Sequence, residues 1–253
     1  SGVLFSDNSN FATSGGYGPN QVSAVLGLGV LFCWLYLFTA RPTGRRFWLL
    51  GGIGLALLVQ AILTFSRGGV FNLVIAIPLA SFFFTRSNKK VQKRIFAVLL
   101  LAGLAFYLLI PRLDQFTGGM LITRYENLSL TGREQIIRAD LQLWQENPVL
   151  GVGVGISSLL RREMASLAVL GAATHTEYTR LLAEHGFLGL LSILLLISMG
   201  WQAFHQARGG LAKGTALGLT TWALAEMAHA AMRIASISFV FSIALAHLDL
   251  VDE

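Results

Sequence analysis

The chain is short of charge: Asp, Glu, Lys and Arg together make up 13% of its 253 residues, about half the usual share. A soluble surface cannot be built from so little. Cysteine is nearly absent too. Cys33 is the only one and falls inside an apolar stretch, which excludes an internal disulfide and a thiolate metal cluster. Neither an initiator Met nor a signal peptide opens the chain, so it is expected to be the C-terminal part of a longer protein. No internal repeat, Ser-His-Asp arrangement, P-loop or paired-aspartate motif for nucleotide-sugar metal binding is present, and phosphate chemistry driven by nucleotide has no visible machinery. What is present is apolar: 54% hydrophobic residues, 27 glycines and 17 phenylalanines, with a mean hydropathy of +0.64. Secreted disulfide scaffolds, disordered chains and cytosolic enzymes are excluded. The expectation is an all-α, polytopic bundle of membrane helices, each needing about 20 mostly apolar residues.

Apolar runs place spans at 21–40, 47–65, 69–84 and 95–110. A fifth occupies the apolar part, 187–199, of a long helix beginning near His175; a sixth covers 214–232 and a seventh 234–248. Residues 1–20 read as an irregular polar loop entering a helix near Pro19. The whole chain, 1–253, is read as one membrane domain, and 111–174 is a large loop within it that contains an amphipathic helix.

Basic residues set the orientation. The short loops after spans one, three and five hold ten Lys and Arg, against only Arg67 and Arg233 in the opposite short turns. The basic loops are therefore cytoplasmic and the long loop faces outward. All four lysines lie inside, whereas all nine outer basic residues are arginine. Topology would accept either residue, but a planar guanidinium fork is the better partner for phosphate or carboxylate oxygens. An outward-facing anion site follows; the alternative is that these arginines pair with the eight acids between Asp114 and Glu184. Because the seven arginines from Arg112 to Arg180 nearly balance those acids, the net +6 is no sign of nucleic acid.

Several constellations could carry chemistry. Thr131 and Glu134 fit a capping box opening the amphipathic helix, with Ile137, Leu141 and Trp144 on its apolar face and Arg133 in its first turn. A cation there opposes the helix dipole and hints at an anionic ligand. Gly151-Val-Gly-Val-Gly155 follows a helix, not a strand, so a dinucleotide fingerprint is rejected; it is either a turn that brings backbone to a ligand or a tight return. Thr174 and Glu177 form a second box that puts His175 in the first turn of a helix, where an imidazole stays neutral and can act as a base. Arg67 lies between two apolar spans, where charge is costly and functional unless it snorkels to the interface. Glu226, His229 and Arg233 share one face of span six, as a structural polar cluster or as the back wall of a site.

Gly18-Pro-Asn-Gln21, Thr64-Phe-Ser-Arg67-Gly-Gly, Thr131-Gly-Arg133 with Trp144, Asn147-Pro-Val-Leu-Gly151-Val-Gly153 and the run from His175 to Gly189 occur here in order. In that order and topology they resemble the bacterial O-antigen ligase and polymerase superfamily, over nearly the whole chain and most strongly over 60–190. The resemblance implies a GT-C-like inner-membrane glycosyltransferase with its site on the periplasmic side. It would move a glycan from undecaprenyl diphosphate to lipid A-core, to a growing chain or to a protein hydroxyl, without metal or cofactor and with inversion. Carried over by motif, Arg67 and Arg133 would hold the diphosphate and His175 would orient or deprotonate the acceptor hydroxyl. Arg124, Glu177, Arg180, His229 and Arg233 complete the candidate binding set. Where the family commonly has a small polar residue two positions after the histidine, Glu177 stands here, either capping the helix or sharing the base role. Family members also carry more spans than seven. A carrier or flippase for an anionic polyprenyl lipid is the rival from another class; the scarcity of deep charge in the spans favours a surface site. A purely structural partner subunit is a third reading, and it leaves the all-arginine outer face unexplained.

Overall fold

The computed structural model describes residues 4–6, 8–127, 133–164, 176–229 and 234–246. All regular elements among them are helical. A 3-10 turn at Ala12–Ser14 precedes α1 (Pro19–Thr39), α2 (Gly44–Leu63), α3 (Arg67–Ser87) and α4 (Lys89–Phe116), which follow one another through short turns. Four shorter helices come next: α5 (Met120–Glu126), α6 (Arg133–Glu146), α7 (Ser157–Met164) and α8 (Glu177–His185). Then α9 (Phe187–Gln206), α10 (Gly209–Met227) and α11 (Ser236–Leu245) return to the bundle. Among the described residues five helices, α1 to α4 and α9, are long and apolar enough to cross a membrane, so the chain is a multi-pass, all-α membrane protein. The stretches expected as spans six and seven hold α10 and the ten-residue α11, neither of which is among those five.

Local chemistry explains most boundaries. Pro19 occupies the first position of α1, where its missing N–H costs nothing. The Asn88 side chain accepts from the backbone N–H of Lys90 at 2.8 Å, so the expected basic loop at 85–94 shrinks to one capping residue between α3 and α4. Helix α4 runs on through Pro111, beyond the expected end at Ile110, and stops before Gly118 and Gly119, whose φ values are +66° and +80°.

Helix α10 is the centre of the bundle and packs most extensively along α3. Its composition is Gly, Ala and Thr among larger apolar residues, and most of its length is buried. Small residues let backbones approach closely where lipid removes the hydrophobic drive for helix association. The crossing of α1 and α3 shows the limit: a Cβ at Gly69 would lie 2.1 Å from the Ser23 carbonyl oxygen. Aromatic rings fill the space around α10, with Trp34 on Phe38 at 4.8 Å and Phe38 against Phe84 at 6.0 Å. The Trp34 indole N–H finds an acceptor in Ser81 Oγ at 3.1 Å. Helices α2 and α4 are the least covered of the bundle.

Candidate active site

Arg67 is the first residue of α3 and is 9% exposed. It sits on a turn, Thr64-Phe65-Ser66, in which Phe65 has φ +57°, a left-handed conformation that a bulky residue adopts only when its surroundings enforce it. Four hydrogen bonds from three segments do so. Asn10 N–H donates to the Thr64 carbonyl at 2.8 Å, Ser66 Oγ donates to Asn20 Oδ1 at 2.7 Å and Ser23 Oγ to the Ser66 carbonyl at 3.0 Å. Arg124 Nε donates to the Phe65 carbonyl at 3.0 Å. The polar N-terminal segment is therefore not idle loop: it packs over this turn, with Phe5 stacked on Phe65 at 5.3 Å. The Thr-Phe-Ser-Arg-Gly-Gly motif encodes a strained turn and a close helix crossing that together fix where Arg67 starts its helix.

Around Arg67 the tertiary structure gathers residues distant in sequence. Its guanidinium donates to the Asn127 carbonyl at the end of α5. Arg124, also in α5, is 6% exposed. Tyr125 lies between the fields of both arginines, its buried hydroxyl has no hydrogen-bond partner among the described residues, and burial pushes its phenol well above the ordinary value. No sequence pattern singles out Tyr125. His229 comes to the same end, against Gly68 and with its ring 6.3 Å from Phe71.

Glu226 and His229 do not share a helical face as expected, because α10 ends at Met227 with Ala228 at its C-cap. Glu226, in the last turn, points into the bundle and accepts from Asn72 Nδ2 at 2.5 Å. His229 lies beyond the helix on a turn in which its N–H donates to the Glu226 carbonyl at 3.0 Å. Arg233, together with His175, Thr131 and Thr174, lies outside the described residues.

Helices α6, α7 and α8 form a layer beside this end. The amphipathic helix exists, with Arg133 as its first residue, but its buried stripe is Ile136, Ala139, Asp140 and Leu143, while Ile137, Leu141 and Trp144 are half-buried. The reason is Asp140. Its carboxylate is fully buried and paired with the fully buried guanidinium of Arg161 from α7, and Thr179 Oγ1 of α8 donates to its second oxygen at 3.1 Å. Ser157 Oγ donates to Glu184 Oε1 at 2.8 Å. Arg180 spans two acids, with Nε 3.0 Å from Glu177 Oε1 and Nη1 2.6 Å from Glu184 Oε2. Burial raises the Asp140 carboxyl above its ordinary value even with Arg161 beside it, and the hydrogen bond that Arg180 donates to Glu177 leads in holding its guanidinium more firmly protonated. Part of the arginine content expected on the outer side is thus paired with acid, as the alternative held, at Arg138, Arg161 and Arg180.

Two local expectations change here. Helix α8 starts at Glu177 with Thr176 at its N-cap, so Glu177 is the first helical residue, not the third residue of a capping box, and its carboxylate goes to Arg180. The long helix expected from His175 into span five breaks at Gly186, because Val149 reaches in to accept from Phe187 N–H at 3.0 Å. A Cβ at Gly186 would lie 2.6 Å from the Val149 oxygen and the Gly151 nitrogen. On the other side, Val152 N–H donates to the Ala183 carbonyl at 2.8 Å and Gly153 N–H to the Glu184 carbonyl at 3.1 Å. The Gly151-Val-Gly153 run is therefore a tight return that satisfies the last carbonyls of α8. Tyr178, through its hydroxyl on the Leu224 carbonyl at 2.7 Å, ties the start of α8 to the last turn of α10. The ends of α3, α5, α8 and α10 thereby meet. Among the described residues no group of three His, Cys, Asp or Glu converges as metal ligands.

A family model described as O-antigen ligase matches residues 53–194, which run from within α2 into α9 and include Arg67, Arg124, Arg133, His175, Glu177 and Arg180. No curated protein matches the chain. The members of that family are glycosyltransferase-like membrane enzymes, and the match covers more than half of a helical membrane bundle whose polar residues gather at one end: the chain belongs to the O-antigen ligase family.

Proposed function

We propose that the protein transfers a glycan from undecaprenyl diphosphate to an acceptor sugar on the periplasmic face of the bacterial inner membrane, in O-antigen ligation to lipid A-core. The observation that carries this reading is the meeting of two buried arginines, Arg67 and Arg124, at one end of the bundle, with Arg67 at the N-terminus of α3. A guanidinium beside the leading N–H groups of a helix is a strong seat for an anion. In the reaction the acceptor hydroxyl oxygen bonds to the anomeric carbon, the bond from that carbon to the diphosphate oxygen breaks, and the hydroxyl proton passes to His175. Attack opposite the leaving group inverts the anomeric centre. Negative charge grows on the departing diphosphate, so guanidinium groups already in place stabilise the transition state more than the ground state. Arg67 and Arg133 take that role. Arg124 supports the turn that carries Arg67, and Glu177 and Arg180 brace the start of α8. His229 lies along the wall beside α3, and we assign Arg233 to the binding set with it.

The test is transfer in proteoliposomes from polyprenyl-diphosphate glycan to lipid A-core. His175→Ala is expected to lower turnover by about 10²- to 10⁴-fold; undiminished transfer refutes the role of His175. Arg67→Lys keeps the charge but loses the fork, and about tenfold weaker transfer is expected; wild-type behaviour removes bidentate phosphate binding at that position. Replacing lipid A-core by a second glycan-linked lipid as acceptor separates ligation from polymerisation.

A further inference from the structure

The end of the bundle opposite Arg67 has a charge pattern that the transfer reaction does not use. From residue 8 to residue 113 the chain contains no Asp or Glu. Within that stretch, Arg45 and Arg46 stand in the first turn of α2, Lys89, Lys90 and Lys93 lie in the opening turns of α4, and Arg86 ends α3; all six are exposed. The fold brings the two loops together. Arg94 donates to the Pro42 carbonyl and its guanidinium lies 5.1 Å over the Phe47 ring, which clamps the start of α4 to the start of α2. The ion pairs Arg138–Glu134, Arg161–Asp140, Arg180–Glu177 and Arg180–Glu184 all lie in α6–α8, away from this end.

Five of these six cations oppose a helix dipole. Positive side chains and the positive ends of two helices are concentrated in one place, and among the described residues no acid stands with them, so the surface attracts anions. The same helices say what carries those anions. Below the cations, α2 and α4 are the barest of the five long apolar helices, and Trp48 and Trp201, each 67% exposed, stand about one turn in from this end on α2 and α9. Exposed indoles at that depth mark the boundary between acyl chains and head groups, and the Arg86 guanidinium lies 4.2 Å from the centroid of the exposed Phe82 ring, one turn back along α3. We infer that this end is a multivalent surface for anionic glycerophospholipid head groups, held by Arg45, Arg46, Arg86, Lys89, Lys90 and Lys93. It stands whether or not the transfer reading does.

The test reconstitutes the full chain in phosphatidylcholine bilayers with a trace of spin-labelled phosphatidylglycerol or spin-labelled phosphatidylcholine and measures the motionally restricted fraction of each. Wild type is expected to prefer phosphatidylglycerol several-fold, each cation contributing about fivefold at most to the local preference, and high salt should erase most of it. Arg45→Gln/Arg46→Gln and Lys89→Gln/Lys90→Gln/Lys93→Gln should each weaken the preference, whereas Arg112→Gln at the other end of α4 should leave it intact. Equal restriction of the two lipids by wild type, or a preference that survives salt, overturns the proposal. So does a loss caused equally by Arg112→Gln. The salt series needs no variant to fold.

Discussion

The bundle and the α6–α8 layer are held together by opposite means. In the bundle, α1, α3 and α10 meet through small residues and aromatic packing, and the Asn72–Glu226 hydrogen bond is one of its few buried polar links between helices. In the layer, Asp140, Arg161, Glu177 and Glu184 are nearly or fully buried, and Arg180 is bonded to two carboxylates. Lipid gives apolar surfaces no reason to associate, so close approach must supply the attraction. Short helices outside the spans have too little apolar area for a core of their own and are locked instead by charge pairs that satisfy one another. The difference teaches where each region breaks: the bundle by added volume, the layer by a lost partner.

The largest effect should come from volume. Gly69→Leu places atoms into the Ser23 backbone and is expected to abolish monodisperse protein in size-exclusion chromatography, while Gly103→Leu on the open side of α4, where a Cβ meets nothing within 4 Å, should be tolerated. Equal yields from the two would mean that close crossing does not hold the bundle. Next comes the buried pair. Arg161→Met leaves Asp140 buried without its cation and should cost about 3–5 kcal/mol in thermal unfolding; Asp140→Leu/Arg161→Met should recover most of that. A double variant as unstable as the single one would show that the layer depends on the charges themselves. The smallest effect concerns pH. Since burial raises the Asp140 carboxyl above its ordinary value, its folded form holds a proton more tightly than its unfolded form. The stability this contributes is full below the unfolded value and is lost as pH rises through the folded value. Asp140→Asn should flatten that slope in unfolding measured from pH 3 to 7, and an unchanged slope would assign it to another group.

The spans were legible because an uncharged run of about 20 residues has one physical use, and four of the expected spans match α1 to α4 closely. The amphipathic helix after the span region was legible too, but its buried face was not. Periodicity favoured the stripe with the larger apolar side chains, and a carboxylate at position 140 reads as a solvent-facing residue until Arg161, 21 residues on, is brought to it. The break at Gly186 was hidden for a similar reason: nothing near it in sequence shows that Val149 will claim the Phe187 N–H. Arg67 was found from its cost in an apolar setting. Tyr125 has no such signal, since a tyrosine beside an arginine is ordinary until both are buried.

By itself the sequence determined that this is a helical membrane protein, which end of each span carries the lysines, and which motifs place it near the O-antigen ligases. These are properties of composition, run length and residue order, which do not depend on what folds against what. The tertiary structure decided that Arg124 serves the Phe65 turn, that His229 leaves its helix to lie against Gly68, and that Arg161 and Arg180 are paired with acids. Each of those outcomes is a contact between segments far apart in the chain, and desolvation gives a charge its meaning only once its neighbours have been chosen.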